Sequence, residues 1–421
     1  MLFFERGDKT DTIDAEGLRD ALRQTLEALG PRKKVLAIPP DITRFYSQAG
    51  QLTEMAWDYY GAALTDVLPA LGTHAAMTEA EIKRMFGSLP PAMIRVHDWR
   101  NDLVTLGEVP GDVVRELSEG KVDYSWPAQV NRLLVEGGFD LILSIGQVVP
   151  HEVIGMANYN KNVFVGTGGV EGINKSHFLG AVYGMERIMG RADTPVRRLL
   201  NYASEHFAQE LPIVYLQTVV EGTPDGPVLR GFYAGDDVEC FQKAADLSLQ
   251  VNFQMMDQPL SKVVVYLEPE EFKSTWLGNK SIYRTRMAMA DEGELIVLAP
   301  GLKEFGEDSE IDRLIAKYGY LRTDEILDLV KTQEDLGNNL SAAAHLIHGT
   351  TDGRFKVTYC PGHIEREAME AVKFGYRDLG DAMKQYNPDR LKDGFNTVDG
   401  EEIFYISNPA LGLWSWKERF E

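Results

Sequence analysis

Apolar positions along this chain fall into two alternating spacings. Over DAEGLRDALRQTLEAL (14–29), Leu18, Leu22, Leu26 and Leu29 recur at helical spacing, with Asp14 placed to cap the start and Gly30 the end. VLAIPP (35–40) is a short apolar run stopped by two prolines, the pattern of a buried strand. TDVLPALG (65–72) reads as a strand interrupted by Pro69, and FDLILSIG (139–146) as the strongest strand of the first half. Thr78-Glu79-Ala80-Glu81 has capping-box spacing and predicts a helix over 79–87. NVFVG (162–166) and LPIVYLQTVVEG (211–222) are further predicted strands, the latter with Val228–Ala234 as its partner. A second series follows: KVVVYLEP (262–269), ELIVLAPG (294–301), a helix around 323–336, RFKVTYC (354–360) and EIFYIS (402–407).

Such alternation predicts an α/β protein of two α/β domains with largely parallel sheets and an interdomain active-site cleft. The polar stretch 252–262 marks the boundary. Residues 1–258 are expected to form the N-terminal domain and 259–395 a C-terminal domain that closes over the substrate. Residues 396–421 form a last segment able to return to the first domain. At 421 residues, 44% hydrophobic, the chain is too long for one core and too apolar to be disordered. Its 43 basic and 64 acidic side chains give a net charge of −21, which repels phosphate backbones and anionic lipid. Nucleic-acid and membrane partners are therefore not expected. Two cysteines are too few for a disulfide framework, the start lacks an apolar leader, and a cytoplasmic location is expected.

The candidate chemistry lies after predicted strand ends, where open α/β sheets bind ligands. His74 follows the 65–72 run, His151 follows 139–146, and Arg44 follows 35–40. His177 lies beyond Gly166-Thr167-Gly168-Gly169, which is either a plain turn or a set of N–H groups able to cradle a phosphate. Histidine exchanges protons near neutrality and arginine clamps carboxylates. Two histidines with one arginine suit acid/base work on a carboxylate-bearing substrate.

In these residues the chain resembles the lactate racemase family, nickel-pincer-nucleotide racemases and epimerases of 2-hydroxy acids. Asp41-Ile42-Thr43-Arg44 matches the family's Asp-x-x-Arg motif, Gly72-Thr73-His74 its first catalytic histidine, and Pro150-His151 its second. Lys161 and His177 stand at the family's intervals for the cofactor lysine and nickel histidine. The resemblance implies a small-molecule 2-hydroxy acid substrate and, as partners, the enzymes that build the cofactor. That cofactor is a pyridinium-3-thioamide-5-thiocarboxylic acid mononucleotide with nickel. Lys161 would tether it covalently, Gly166, Thr167, Gly168 and Gly169 would contact it, and His177 would ligate nickel. Asp41, Arg44, Tyr283 and Arg284 would bind substrate. His74 and His151 would serve as the acid/base pair while hydride leaves C2 for the cofactor and returns.

Departures from the lactate-specific pattern bear on the substrate. Phe45-Tyr46 replaces a proline after the arginine, and Met156-Ala157-Asn158-Tyr159-Asn160 replaces a glycine-rich segment. Arg284 stands where a glutamine is usual, and the following lysine is lost. Arg284, Arg286, Lys280 and the asparagines near Lys161 could serve a larger acid, bind the cofactor phosphate, or meet the other domain. A sugar acid of the D-gluconate type is the favoured expectation and malate the second. His345 and His348 are candidates to close the site from the second domain. A nicotinamide-dependent dehydrogenase and a non-catalytic carrier of the nickel nucleotide are the rival readings. The first lacks its Gly-x-Gly-x-x-Gly fingerprint.

Overall fold

The computed structural model describes residues 1–223 and 226–420. It divides into two compact units, residues 1–179 with 188–252 and residues 180–187 with 253–421. The first is built on a six-stranded sheet of β1 (Leu2–Gly7), β2 (Val35–Ile38), β3 (Leu64–Val67), β4 (Leu141–Gln147), β5 (Ile213–Thr223) and β6 (Gly226–Gly235), in the order β1-β6-β5-β4-β2-β3. The run β5-β4-β2-β3 is parallel, while β6 and β1 add antiparallel strands at one edge. All four residues of β2 are buried, as its unbroken apolar sequence requires of a strand covered on both faces.

Helix α1 (Ala15–Leu29) begins where Asp14 accepts the Gly17 N–H and ends at Gly30, whose φ of 73° suits glycine. Its Leu18, Leu22 and Leu26 pack into one core with Val35, Ala37, Leu141 and Leu143. Helix α2 (Ala49–Tyr60) and helix α3 (Glu79–Phe86), the latter opened by the Thr78 capping box, join the same core through Leu52 and Phe86.

The second unit carries β7 (Leu260–Tyr266), β8 (Met289–Ala299), β9 (Lys356–Pro361), β10 (Gly375–Tyr376), β11 (Gly394–Val398) and β12 (Glu401–Ile406), ordered β10-β9-β8-β7-β12-β11. Only the β11–β12 pair is antiparallel. Among the described residues no helix is long and apolar enough to cross a membrane.

Several expectations are corrected. Residues 162–166 are not a strand: Asn160–Phe164 is a short helix, α4, and the Lys161 carbonyl accepts both the Val165 and Gly166 N–H groups. A three-residue apolar run has no periodicity to separate the two forms. β3 stops at Val67, before Pro69, which has no N–H to give a ladder. The 323–336 helix is two, Thr323–Thr332 and Glu334–Gly337, parted where Gln333 turns extended. The C-terminal segment adds β11, β12 and the Leu413–Trp416 strand, paired with Phe253–Met256, to the second unit rather than returning to the first.

Gly50 shows how tightly α2 is seated: a Cβ there would lie 1.8 Å from the Met85 carbonyl oxygen. Gly50→Ala is expected to cost about 1–3 kcal/mol by overpacking, read as a lower urea midpoint at unchanged slope. An unmoved midpoint would contradict this packing.

Candidate functional site

Asp41 follows directly from β2 and its two prolines, and its side chain caps the short 3-10 helix Ile42–Ser47 by accepting the Thr43 N–H at 3.1 Å. The Thr43 hydroxyl also donates to it. The other carboxylate oxygen of Asp41 lies 2.7 Å from His74 Nδ1. Because β2 and β3 are parallel neighbours, their carboxyl ends bring these two residues together. A carboxylate only accepts, so His74 Nδ1 carries a proton, and in the neutral ring Nε2 holds the lone pair. Burial works to raise the Asp41 carboxyl, but His74 and Thr43 outweigh it and hold it below the ordinary range. Asp41, expected on the substrate, is thus placed as the orienting partner of His74. Arg44 leaves helical geometry at φ −113°, ψ 32°, and its guanidinium has no hydrogen-bond or ion-pair partner among the described residues.

His151 lies past the end of β4 in a two-residue strand paired with Gly155–Met156. It is 8% exposed, and its Nδ1 accepts the Val153 N–H at 3.1 Å. Its neutral form therefore carries the proton on Nε2, the opposite setting to His74. Burial lowers the His151 pKa well below 6.5, opposed by Glu152 and aided by the charges of Lys161, Arg44 and His177. The Glu152 carboxylate is 3.9 Å from His151 Nδ1.

Lys161, in the first turn of α4, keeps some accessible surface yet lies deep among protein atoms. That desolvation first, and the Arg44 charge second, lower its pKa to about 8. His177 sits on α5 (Val170–Tyr183), where its Nδ1 donates to the Ile173 carbonyl at 2.7 Å. Burial, then the Lys161 charge, lower its pKa to about 4, so its Nε2 is an unprotonated donor at neutral pH. This is the setting a metal-ligating histidine needs. Among the described residues no three His, Cys, Asp or Glu side chains gather to hold a metal by themselves.

Within Gly166–Gly169, three of the four backbone N–H groups are engaged inside the protein. The N–H groups of Gly166, Thr167 and Gly168 already donate to Lys161, Val163 and Val165, closing the end of α4. A Cβ at Gly168 would stand 2.0 Å from the Phe164 oxygen, and one at Gly169 2.2 Å from Gln129 Oε1, so close packing demands these glycines. The Gly166 carbonyl accepts the Gly72 N–H at 2.8 Å, and buried His97 Nε2 lies 2.9 Å from the Gly168 carbonyl. These bonds tie the glycine segment to the residues around His74.

Residues 13–188 match the lactate racemase N-terminal domain family. That span holds Asp41, Arg44, His74, His151, Lys161 and His177. No curated protein matches the chain in sequence. Among solved structures, a Thermotoga maritima protein is 27% identical with a TM-score of 0.81, covering 97% of this chain and 99% of its own. The lactate racemase apoprotein from Thermoanaerobacterium thermosaccharolyticum shares the fold at 17% identity, with a TM-score of 0.71 and coverage of 98% and 94%.

Outside the matched span, the second unit buries Tyr283 and Arg284 on the helix Lys280–Thr285. The Tyr283 hydroxyl lies 2.9 Å from His345 Nδ1, and the Tyr320 hydroxyl 2.8 Å from His345 Nε2. Burial, and secondarily His348, lower the His345 pKa to about 3, so it is a neutral bridge between two tyrosines. Arg286, a candidate for the substrate, is engaged by Glu186 at 3.2 Å and by the His348 and Thr350 carbonyls. Lys280 is 3.9 Å from Glu271.

Two residues that bear on the site were not legible. Glu152 is an ordinary acid beside a histidine, and Arg197 looks like any helical arginine, because its partners are backbone carbonyls far away in sequence. The opposite tautomers can be read directly: long-range proton–nitrogen NMR is expected to show His74 protonated on Nδ1 and His151 on Nε2 at neutral pH. The same tautomer in both would contradict this site. Asp41→Asn is expected to cost about 2 kcal/mol at neutral pH. Since the folded Asp41 pKa is depressed, that advantage of the wild type should fade as pH falls through it. A pH-independent difference in urea unfolding would contradict the assignment.

Proposed function

We propose that the chain is a racemase or epimerase inverting C2 of a 2-hydroxy acid, working with a nickel-pincer nucleotide attached through Lys161. The observation behind this reading is the pair of oppositely set imidazoles, His74 and His151, near a buried amine and a third imidazole that is neutral. His177 Nε2 would hold the nickel and Lys161 the nucleotide. Bound, that group supplies a centre able to take the C2 hydrogen with its electron pair and return it.

The chain's own residues divide the remaining work. Arg44 clamps the substrate carboxylate. His74 Nε2 accepts the hydroxyl proton, and Asp41 stabilises the imidazolium that results. His151 donates an Nε2–H hydrogen bond to the same class of oxygen. For the mirror-image acid His151 takes the proton instead, which requires it to give up the Val153 N–H.

A polyhydroxy acid of the D-gluconate type is the substrate we favour over a dicarboxylate. The Glu152 charge is felt at His151, Lys161 and His177. A second carboxylate placed against Glu152 would meet a like charge within an otherwise basic surround, whereas hydroxyls can donate to Glu152. The amides near Lys161 add less than their number suggests, since Asn160 bonds Asn201 and Ser204, and Asn162 bonds the Ile145 carbonyl.

With protein from a host that makes the cofactor, gluconate deuterated at C2 is expected to epimerise with the label retained. His74→Ala and His151→Ala should each lower the rate by about 10²–10⁴-fold while the Lys161 adduct persists. Loss of the label to water, or undiminished rates in both variants, would overturn the reading. Faster turnover of malate would overturn the substrate class alone.

A further inference from the structure

We propose that Arg197 is a positioning residue for Lys161, fixing the 156–160 segment that presents the lysine and placing a positive charge near its amine. The proposal rests on Lys161 being the attachment point, and it adds a residue outside the span that matches the lactate racemase N-terminal domain.

Arg197 stands in the first turn of the helix Pro195–Phe207, which Thr194 caps by accepting the Arg197 N–H at 3.1 Å. Its side chain is 1% exposed. Nη2 donates to the Met156 carbonyl at 2.7 Å and to the Asn158 carbonyl at 3.2 Å, and Nη1 donates to Asn160 Oδ1. The guanidinium lies over the Phe241 ring at 4.2 Å and 5.7 Å from the Tyr159 ring. Among the described residues no carboxylate pairs with it. A cation buried this deeply without a counter-ion is costly to fold, and carbonyl oxygens and aromatic faces compensate only in part.

What the arginine holds accounts for that cost. Asn158 and Tyr159 both have left-handed backbones, at φ 67° and 57°, a region non-glycine residues adopt only when their surroundings enforce it. Tyr159 stacks on Phe241 at 5.2 Å, and the Asn160 amide nitrogen donates to Asn201 and Ser204, which turns its oxygen toward Arg197. One planar fork thus gathers three oxygens from five consecutive residues, and Lys161 is the next in the chain. A lysine in its place would lack that fork. Burial lowers the Arg197 pKa to about 9, which leaves it charged at neutral pH. Its charge joins burial and Arg44 in easing the Lys161 amine toward the neutral, nucleophilic form.

The test uses the unloaded full-length protein and brief acetic anhydride labelling, with the Lys161 acetyl read by peptide mass across a pH series. Wild type is expected to reach half-maximal labelling near pH 8. Arg197→Gln, which keeps hydrogen-bonding capacity without charge, should label Lys161 about two-fold less at that pH, matching a rise of about half a unit. It should equal wild type at high pH. Arg197→Lys should restore the low midpoint but leave the 157–161 amides exchanging faster than in wild type. An unchanged midpoint in Arg197→Gln, or unchanged amide exchange in Arg197→Lys, overturns the proposal. Should Arg197→Gln fail to fold, Arg197→Lys still decides it through exchange. A shifted midpoint in a protein that never acquires an adduct would sink the tether and leave the positioning role. An adduct with no shift would do the reverse.

Discussion

The chemistry of the first unit depends on the crowding of basic groups in a poorly solvated place. Arg44, His151, Lys161 and His177 are close enough for their charges to act on one another, and burial penalises every additional charge. Burial first, and the neighbouring positive charges after it, press His151, Lys161 and His177 to give up theirs. His151 and His177 are neutral at physiological pH, and the lysine amine is brought within reach of its neutral form. Neutral imidazoles can ligate or accept hydrogen bonds, and a neutral amine can form a covalent bond. Glu152 and Asp41 temper this field without cancelling it, since each is tied to a histidine or acts on one.

The fold supplies that crowding through parallel strand ends. β2, β3 and β4 deliver Asp41, His74 and His151 from separate parts of the sequence to the same edge of one sheet. The α4–α5 region then brings Lys161 and His177 up from behind, with its glycines allowing backbone to approach backbone. Polar bonds rather than apolar packing set the final orientation of each reactive group. His74 is aimed by a carboxylate, His151 by a backbone N–H, and His177 by a carbonyl.

Much of this was legible in the sequence because it rests on local rules. Strands such as FDLILSIG are continuous apolar runs, the α1 caps are single residues at its ends, and the motif intervals fix the order of the site residues. The misread parts depend on information the sequence does not carry locally. NVFVG has strand composition, yet Tyr159's left-handed backbone and the Lys161 carbonyl close it into a helix. The segment 166–169 has the composition of a phosphate loop, but the Gly166, Thr167 and Gly168 amides bond within the protein, and the missing side chains of Gly168 and Gly169 make room for Phe164 and Gln129. Arg286 is engaged by Glu186, a hundred residues earlier, a pairing that no local pattern announces. The motif names Asp41 without saying which atoms it faces, and its bond to His74 shows only in the fold.

The most direct test of the account is the intact mass and nickel content of the protein from a host supplying the cofactor pathway, compared with Lys161→Ala and His177→Ala. A crowded, largely neutral site predicts a nickel-containing adduct on the wild type and none on Lys161→Ala. On His177→Ala it predicts an adduct with depleted nickel. Wild-type protein with no adduct and no nickel, from a host shown to load a known lactate racemase, would contradict the account at its centre.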